Sequence, residues 1–303
     1  MNDKFLRSDS LLNETRRLLN QYGLHARKGL AQHFLINRDV LHKITAAAEL
    51  VKNDLVMEIG PGLGVLTAEL VVKAGWVIAV ELDNQLAAIL KENIPLSHNL
   101  TVINRDILEI EPGDLLKGLP PEMPADVNKS YKVVANLPYY ITSHVLRHFL
   151  EAAVKPKIMV ITIQKELAQS IIAQPGEMSL LSNSVQFYGK PKIISYIPPE
   201  CFYPPPKVHS AILRIDIYPR PAVEVRDESS FFRLLRAGFK ANRKQIINSL
   251  SSGLGLPKQE IQPLLNDAGI DPKRRAETLS LEDWARLFQA CIEIGNADSS
   301  STR

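Results

Sequence analysis

The sequence predicts an α/β protein, a largely parallel sheet flanked by helices, with a small all-helical domain at its C-terminal end. The first observation behind this is rhythm: short apolar runs at 55–59, 76–80, 101–104, 132–136 and 157–163 alternate with helical stretches, as repeated strand–helix units require. The second is what those runs end in. Gly60, Glu81, Asp106 and Asn136 stand at or just past strand ends, and ligands of open α/β sheets bind at the carboxyl ends of the strands. The third is the boundary at Pro219 and Pro221, beyond which the pattern becomes helical over roughly 228–251, 257–268 and 280–293. The expected organisation is a first domain over 1–220, a helical domain over 221–295 and a disordered tail over 296–303.

A chain of 303 residues, 45% of them hydrophobic, is long enough for one large core and a second, smaller domain. Its formal net charge of +3 suits a nucleic-acid partner without requiring one. Cys201 and Cys291 lie far apart, with no C-x-x-C pair or clustered histidines, which argues against a zinc site or a disulfide scaffold and for a reducing cytoplasm. Met1 to Asn20 lacks the apolar core of a signal peptide and no apolar run is long enough to span a bilayer, so a soluble protein is expected.

In chain order, residues 10–21 form an amphipathic helix pattern, with Leu11, Leu12, Leu18 and Leu19 against Arg16 and Arg17. Arg27 to Leu35 then runs from basic to apolar as an N-terminal arm, and Asn37 is suited to cap a helix over 38–51. Leu55 to Ile59 is the first strong strand. It runs into Gly60-Pro61-Gly62-Leu63-Gly64, where glycine lets the backbone approach a bound molecule before a helix over 65–73. Val65 holds the place of the third glycine of a dinucleotide fingerprint, so the loop suits a compact ligand carrying a ribose and an amino acid rather than NAD. The second strand ends in Glu81-Leu82-Asp83, and a carboxylate there can accept both ribose hydroxyls. The third ends in Arg105-Asp106, where a carboxylate can accept from an adenine amine. Residues 109–129, with Pro120, Pro121 and Pro124, read as a long loop.

Lys132 to Tyr140 is the stretch on which the others converge. A short apolar strand breaks into Asn136-Leu137-Pro138-Tyr139, and Pro138 fixes its own φ while restricting Leu137. The Asn136 amide oxygen and a backbone carbonyl are then rigid acceptors for an exocyclic amine, with Tyr139 to stack on the base. The helix that follows carries His144 and His148 at i,i+4, but Val145 stands where a zinc-protease pattern needs Glu, and both are read as ordinary helix residues. A fifth strand over 157–163 leads to Gln164-Lys165-Glu166 at the start of another helix. Residues 174–219 read as two closing strands, near 192–197 and 208–217, joined by a proline-rich loop. Exposed aromatics on that loop are expected to form the second wall of a base pocket, with Phe202 as the candidate. Over 231–250, Arg233, Arg236, Lys240, Arg243 and Lys244 fall within an arc of about 100° on one helix, opposite Leu235, Phe239, Ile246 and Leu250, a basic stripe for phosphates. Lys273-Arg274-Arg275 adds a second positive site.

Over nearly its whole length the chain resembles the KsgA (RsmA) family of small-subunit ribosomal RNA adenine dimethyltransferases. The resemblance rests on Gln32-His33-Phe34-Leu35, Glu58 to Thr67, Glu81-Leu82-Asp83, Asp106, Asn136 to Tyr139, Gln164-Lys165-Glu166, and Phe202 to Ser210, with Arg243-Lys244 and Arg275 to Ser280 in the helical domain. It implies a Rossmann-like class I methyltransferase sheet with S-adenosylmethionine as cofactor and S-adenosylhomocysteine as product. The family's cofactor contacts carry over to His33, Leu35, Gly60, Glu81, Asp106 and Asn136, with Gly62 and Leu82 beside them. The family usually has Gly-Gln-Asn-Phe-Leu where this chain has Ala31-Gln32-His33-Phe34-Leu35. His33 can still donate or accept a hydrogen bond.

The resemblance further implies dimethylation at N6 of two adjacent adenosines in the 3′-terminal hairpin loop of 16S rRNA during 30S biogenesis, by a cytoplasmic monomer whose partner is the small ribosomal subunit. Asn136 and the Leu137 carbonyl would hold the amine hydrogens, and Tyr139 and Phe202 the flipped base. Three readings compete. A large-subunit rRNA adenine methyltransferase of the macrolide-resistance type shares the catalytic domain but not the C-terminal match; a non-catalytic assembly factor would not need Glu81, Asp106 and Asn136 intact. A DNA adenine methyltransferase would bring a target-recognition domain that the sequence lacks.

Overall fold

The computed structural model describes residues 10–24, 32–94 and 98–300, apart from the side chains of 128–129 and 293–300. The basic part of the arm, Arg27 to Ala31, lies outside the described residues. The chain forms two compact units, Met1–Ala168 with Lys190–Ile217, and Gln169–Gly189 with Tyr218–Arg303. Residues 169–189, read from sequence as part of the first domain, thus group with the C-terminal helices.

The first unit opens with α1 (Leu11–Gln21), capped by the Ser10 hydroxyl accepting from the Asn13 amide, and the two-residue strand β1 (Phe34–Leu35). Asn37 caps α2 (Arg38–Ala47) as expected, its Oδ1 accepting from the Val40 amide at 3.1 Å. The helix ends earlier than Val51, because the chain turns at Glu49 with a φ of 48°. Strands β2 (Asp54–Ile59) and β3 (Trp76–Glu81) are buried at every position, as two-sided cover of a parallel sheet demands, with α3 (Val65–Lys73) between them. Then come α4 (Asn84–Asn93), whose N-cap is Asp83, β4 (Leu100–Asn104) and α5 (Pro112–Lys117). The last falls in the expected 109–129 loop: Pro112 at the first helical position starts a helix there rather than breaking one.

β5 (Asn128–Asn136), α6 (Thr142–Glu151), β6 (Ile158–Gln164) and α7 (Lys165–Ile171) follow. In the second unit α8 (Leu180–Tyr188) is a correction, since the closing-strand reading covered these residues. Ser179 and Ser182 form a capping box, and Phe187 packs within 5.2 Å of both Phe231 and Phe232. β7 (Gly189–Ile197), β8 (Phe202–Tyr203) and β9 (Ser210–Ile217) complete the strands.

The seven-stranded sheet runs β4-β3-β2-β5-β6-β9-β7, with β4 to β6 parallel and β9 antiparallel to β6. β1 and β8 form a separate antiparallel pair, Phe34 opposite Tyr203 and Leu35 opposite Phe202. The chain builds outward from β2 through β3 to β4 and then crosses back to lay β5 on the other side. That reversal opens a crevice at the carboxyl ends of β2 and β5. At the opposite ends of these strands the buried Lys132 ammonium meets Asp54 Oδ2 at 2.8 Å and the carbonyls of Ala48 and Glu49.

The remaining second-unit helices are α9 (Glu228–Phe239), α10 (Ile246–Leu254), α11 (Lys258–Asp267) and α12 (Leu281–Ser300). The expected single helix over 228–251 is two helices that turn over residues 240–245. The turn folds α10 against α9: the Ser249 hydroxyl donates to the Ala241 carbonyl, and Gly253 lies so close to Ala237 that a Cβ would stand 2.5 Å from its carbonyl oxygen. Residues 296–300, expected in a disordered tail, continue α12, and 301–303 lie outside the described residues.

Candidate active site

Three glycines shape the loop after β2. Gly60, Gly62 and Gly64 have φ of 65°, 59° and 86°, a region that disfavours side chains, and a Cβ on Gly62 would come to 3.3 Å from the Phe34 ring. The loop closes on Glu81 at the end of β3. Its carboxylate accepts from the Gly62 amide at 3.0 Å and from the Asp83 amide at 2.9 Å, and the residue is 6% exposed. Burial raises the Glu81 pKa, and those two backbone donors oppose it. Asn104, at the end of β4, donates to the carbonyls of Glu81 and Leu82 and so fixes the strand end from the side. Asp106 caps the turn after β4 by accepting from the Leu108 amide.

Across the crevice, β5 ends in Asn136. Its amide nitrogen donates to the His33 carbonyl at 3.1 Å, which leaves the amide oxygen as the end available to a ligand. The His33 ring is tied on its other side, Nδ1 lying 2.7 Å from the Pro204 carbonyl and so donating to it. Tyr139 stacks on His33 with centroids 5.7 Å apart, and its hydroxyl meets Ser210 Oγ at 2.6 Å. Burial raises the Tyr139 pKa.

Two adjoining recesses result, sharing Gln32, Gly60, Glu81 and Pro138. One is lined by His33, Leu35, Gly62, Asn136, Leu137, Tyr139 and Phe202, the other by Leu82, Arg105, Asp106 and Tyr140. Every residue read from the sequence as catalytic or cofactor-binding therefore borders one crevice. Phe202 needs one correction: it is 2% exposed and packs into the apolar core, because pairing with Leu35 turns it inward rather than outward. The basic set differs too. Arg233 and Arg236 lie on α9, Lys240 at its C-terminal cap, and Arg243 and Lys244 in the turn before α10; all are exposed, but they form no stripe along one helix.

Glu58, to which the sequence reading gave no role, is 1% exposed and borders the first recess with an Oε2 that has no protein hydrogen-bond partner. Burial pushes its pKa up to about 8, with the Thr67 hydroxyl opposing and the Glu81 charge adding. Its signal was a carboxylate inside an otherwise apolar strand.

The family model for ribosomal RNA adenine dimethylases matches residues 23–293. The chain belongs to the ribosomal RNA adenine dimethylase family. A ribosomal RNA small subunit methyltransferase A of Dehalococcoides mccartyi is 50% identical over 278 residues, covering 92% of each chain. Among solved structures, the 23S rRNA methyltransferase ErmE is similar at 29% identity and a TM-score of 0.65, covering 85% of this chain and 98% of its own. A dimethyladenosine transferase from Plasmodium falciparum is similar at 25% identity and a TM-score of 0.67, covering 87% and 98%. As a member of the dimethylase family, the protein is an S-adenosylmethionine-dependent rRNA adenine dimethyltransferase, and the KsgA-type fold expected from sequence is the one observed.

The residues present fit that cofactor. The glycine floor admits backbone approach, the unpartnered Glu58 oxygen is a buried polar atom with hydrogen-bonding capacity left for a ligand, and the Glu81 carboxylate is a buried acceptor suited to ribose hydroxyls. Among the described residues no helix is long and apolar enough to cross a membrane, and no cluster of side chains could hold a metal ion.

Proposed function

We propose that the protein dimethylates N6 of two adjacent adenosines in the 3′-terminal hairpin loop of 16S rRNA, acting in the cytoplasm as a monomer on small ribosomal subunits during their assembly. The observation that carries this reading is the Asn136 amide, held by the His33 carbonyl beside the glycine loop and next to the Tyr139 ring. The small-subunit assignment draws on the printed name of the D. mccartyi relative.

Bound S-adenosylmethionine supplies an activated methyl group on a sulfonium. The protein's part is position and electrostatics. Gly60, Gly62, Glu81, Leu82 and Asp106 hold the cofactor, with His33 and Leu35 closing over it from the arm. The Asn136 oxygen and the Leu137 carbonyl accept the two N6 hydrogens of the target adenine. That draws the amine away from planarity and frees its lone pair for attack. No strong base is required beforehand, since the proton becomes acidic as the new bond forms. Tyr139 holds the ring of a base that has left its stack, and Phe202 buttresses the wall from within the core. Arg233, Arg236, Lys240, Arg243 and Lys244 contact phosphates of the subunit.

The test is to incubate the protein and labelled S-adenosylmethionine with small subunits from a strain lacking the modification, with large subunits as the control, and to map labelled nucleosides. N6-dimethyladenosine at the adjacent pair supports the reading. Label on the large subunit overturns it in favour of an activity like that named for ErmE.

A further inference from the structure

Gln164-Lys165-Glu166 has no part in the chemistry described so far, yet it sits on the same rim. β5 and β6 pair with Asn136 opposite Thr162, so Lys165 lies three residues further along, about 10 Å from the Asn136 level. It is held there from two sides. Its amide donates to the His209 carbonyl at 3.0 Å, and Gln164 pairs with Ser210, whose hydroxyl meets Tyr139. The Lys165 ammonium lies 5.3 Å from the centroid of the Tyr196 ring, near the end of β7. Among the described residues it makes no ion pair, not even with the adjacent, exposed Glu166. Tyr196 is 48% exposed, on the edge strand of the sheet.

A cation resting on an exposed ring instead of a carboxylate is weakly held, and a phosphate oxygen is a stronger partner for it. When the ammonium turns to a phosphate, the exposed part of the tyrosine ring stays beside it, and an exposed tyrosine face is a platform for a nucleobase. Exposed Lys207 stands in the loop entering β9, the strand that pairs with β6. We propose that Lys165 and Tyr196 form a clamp for a nucleotide neighbouring the target adenosine, Lys165 on its phosphate and Tyr196 on its base. This rests on the RNA-methylating reading of the crevice and adds a binding site for the flanking strand. A clamp that fixes the neighbour keeps the RNA in register while the target base is out of its stack.

The test uses the full chain with unmodified small and large subunits, and variants Lys165→Gln, Tyr196→Ala and Tyr196→Phe. Wild-type protein first shows which subunit is labelled, which tests the small-subunit reading separately; the variants are then measured on that subunit. Lys165→Gln is expected to raise KM for the subunit about tenfold and to lower the slope of log affinity against log salt by about 0.7, the share of one phosphate on a single strand. Tyr196→Ala is expected to weaken subunit binding about tenfold with the salt slope kept, while Tyr196→Phe, which still stacks, stays near wild type. Affinity for S-adenosylmethionine, read by isothermal titration, stays constant throughout. The clamp is overturned if Lys165→Gln leaves KM and salt slope unchanged, or if cofactor affinity falls in parallel with subunit binding, which would make the pair a structural strut.

Discussion

Asn136 does two things with one amide in the proposed mechanism: its nitrogen holds the arm through the His33 carbonyl, and its oxygen is left to accept from the target amine. Asn136→Ala is therefore expected to lower kcat by about 10²-fold or more, while cofactor affinity by isothermal titration falls much less; normal turnover would remove the mechanism. Glu58 makes a different prediction. Below its ordinary value of 4.5 both folded and unfolded chains carry the proton; between there and about 8 only the folded chain keeps it, so stability declines as pH rises and levels off above. Glu58→Gln should remove that decline. Urea unfolding near about pH 5 and about pH 8 would show the variant gaining on wild type at the higher pH, and a constant difference would refute the assignment. Asn136 was legible in the sequence because Pro138 and the aromatic pair mark it off from a plain strand. Glu58 was not, because nothing in a strand pattern says which carboxylate ends up without a partner.

Among the elements, the buried strands and their acidic or glycine ends were readable from apolar runs alone, since a sheet covered on both faces has little choice of residue. Elements whose pattern is split between partners were not readable. α8 looked like alternating strand because Phe187 and Tyr188, adjacent in sequence, both pack on α9 residues. The turn over 240–245 was hidden because α9 and α10, run together, keep a continuous helical wheel. The turn brings α10 into close backbone contact with α9 at Gly253, and Gly253→Ala should cost about 1–3 kcal/mol by overpacking against Ala237, measured by chemical unfolding. A neutral substitution would show that α10 can move off α9.

For the whole molecule, the proposed subunit-binding charges are divided between a helix face and a turn, so they are expected to act as separate phosphate contacts rather than one stripe. Arg233→Glu with Arg236→Glu, and independently Arg243→Glu with Lys244→Glu, should each weaken subunit binding and reduce its salt slope by about one per phosphate lost, with cofactor affinity unchanged. Unaltered binding in both would remove this face from the interface. The crevice itself is gathered from distant stretches. His33 is pinned by the carbonyl of Pro204, and Leu35 faces Phe202 across the β1–β8 pair. A ribosome translating this protein must therefore extend the chain past Pro204 before the arm can close, so no fragment that ends before Pro204 holds a finished site. The crevice is thus a late product of synthesis, complete only once most of the chain exists.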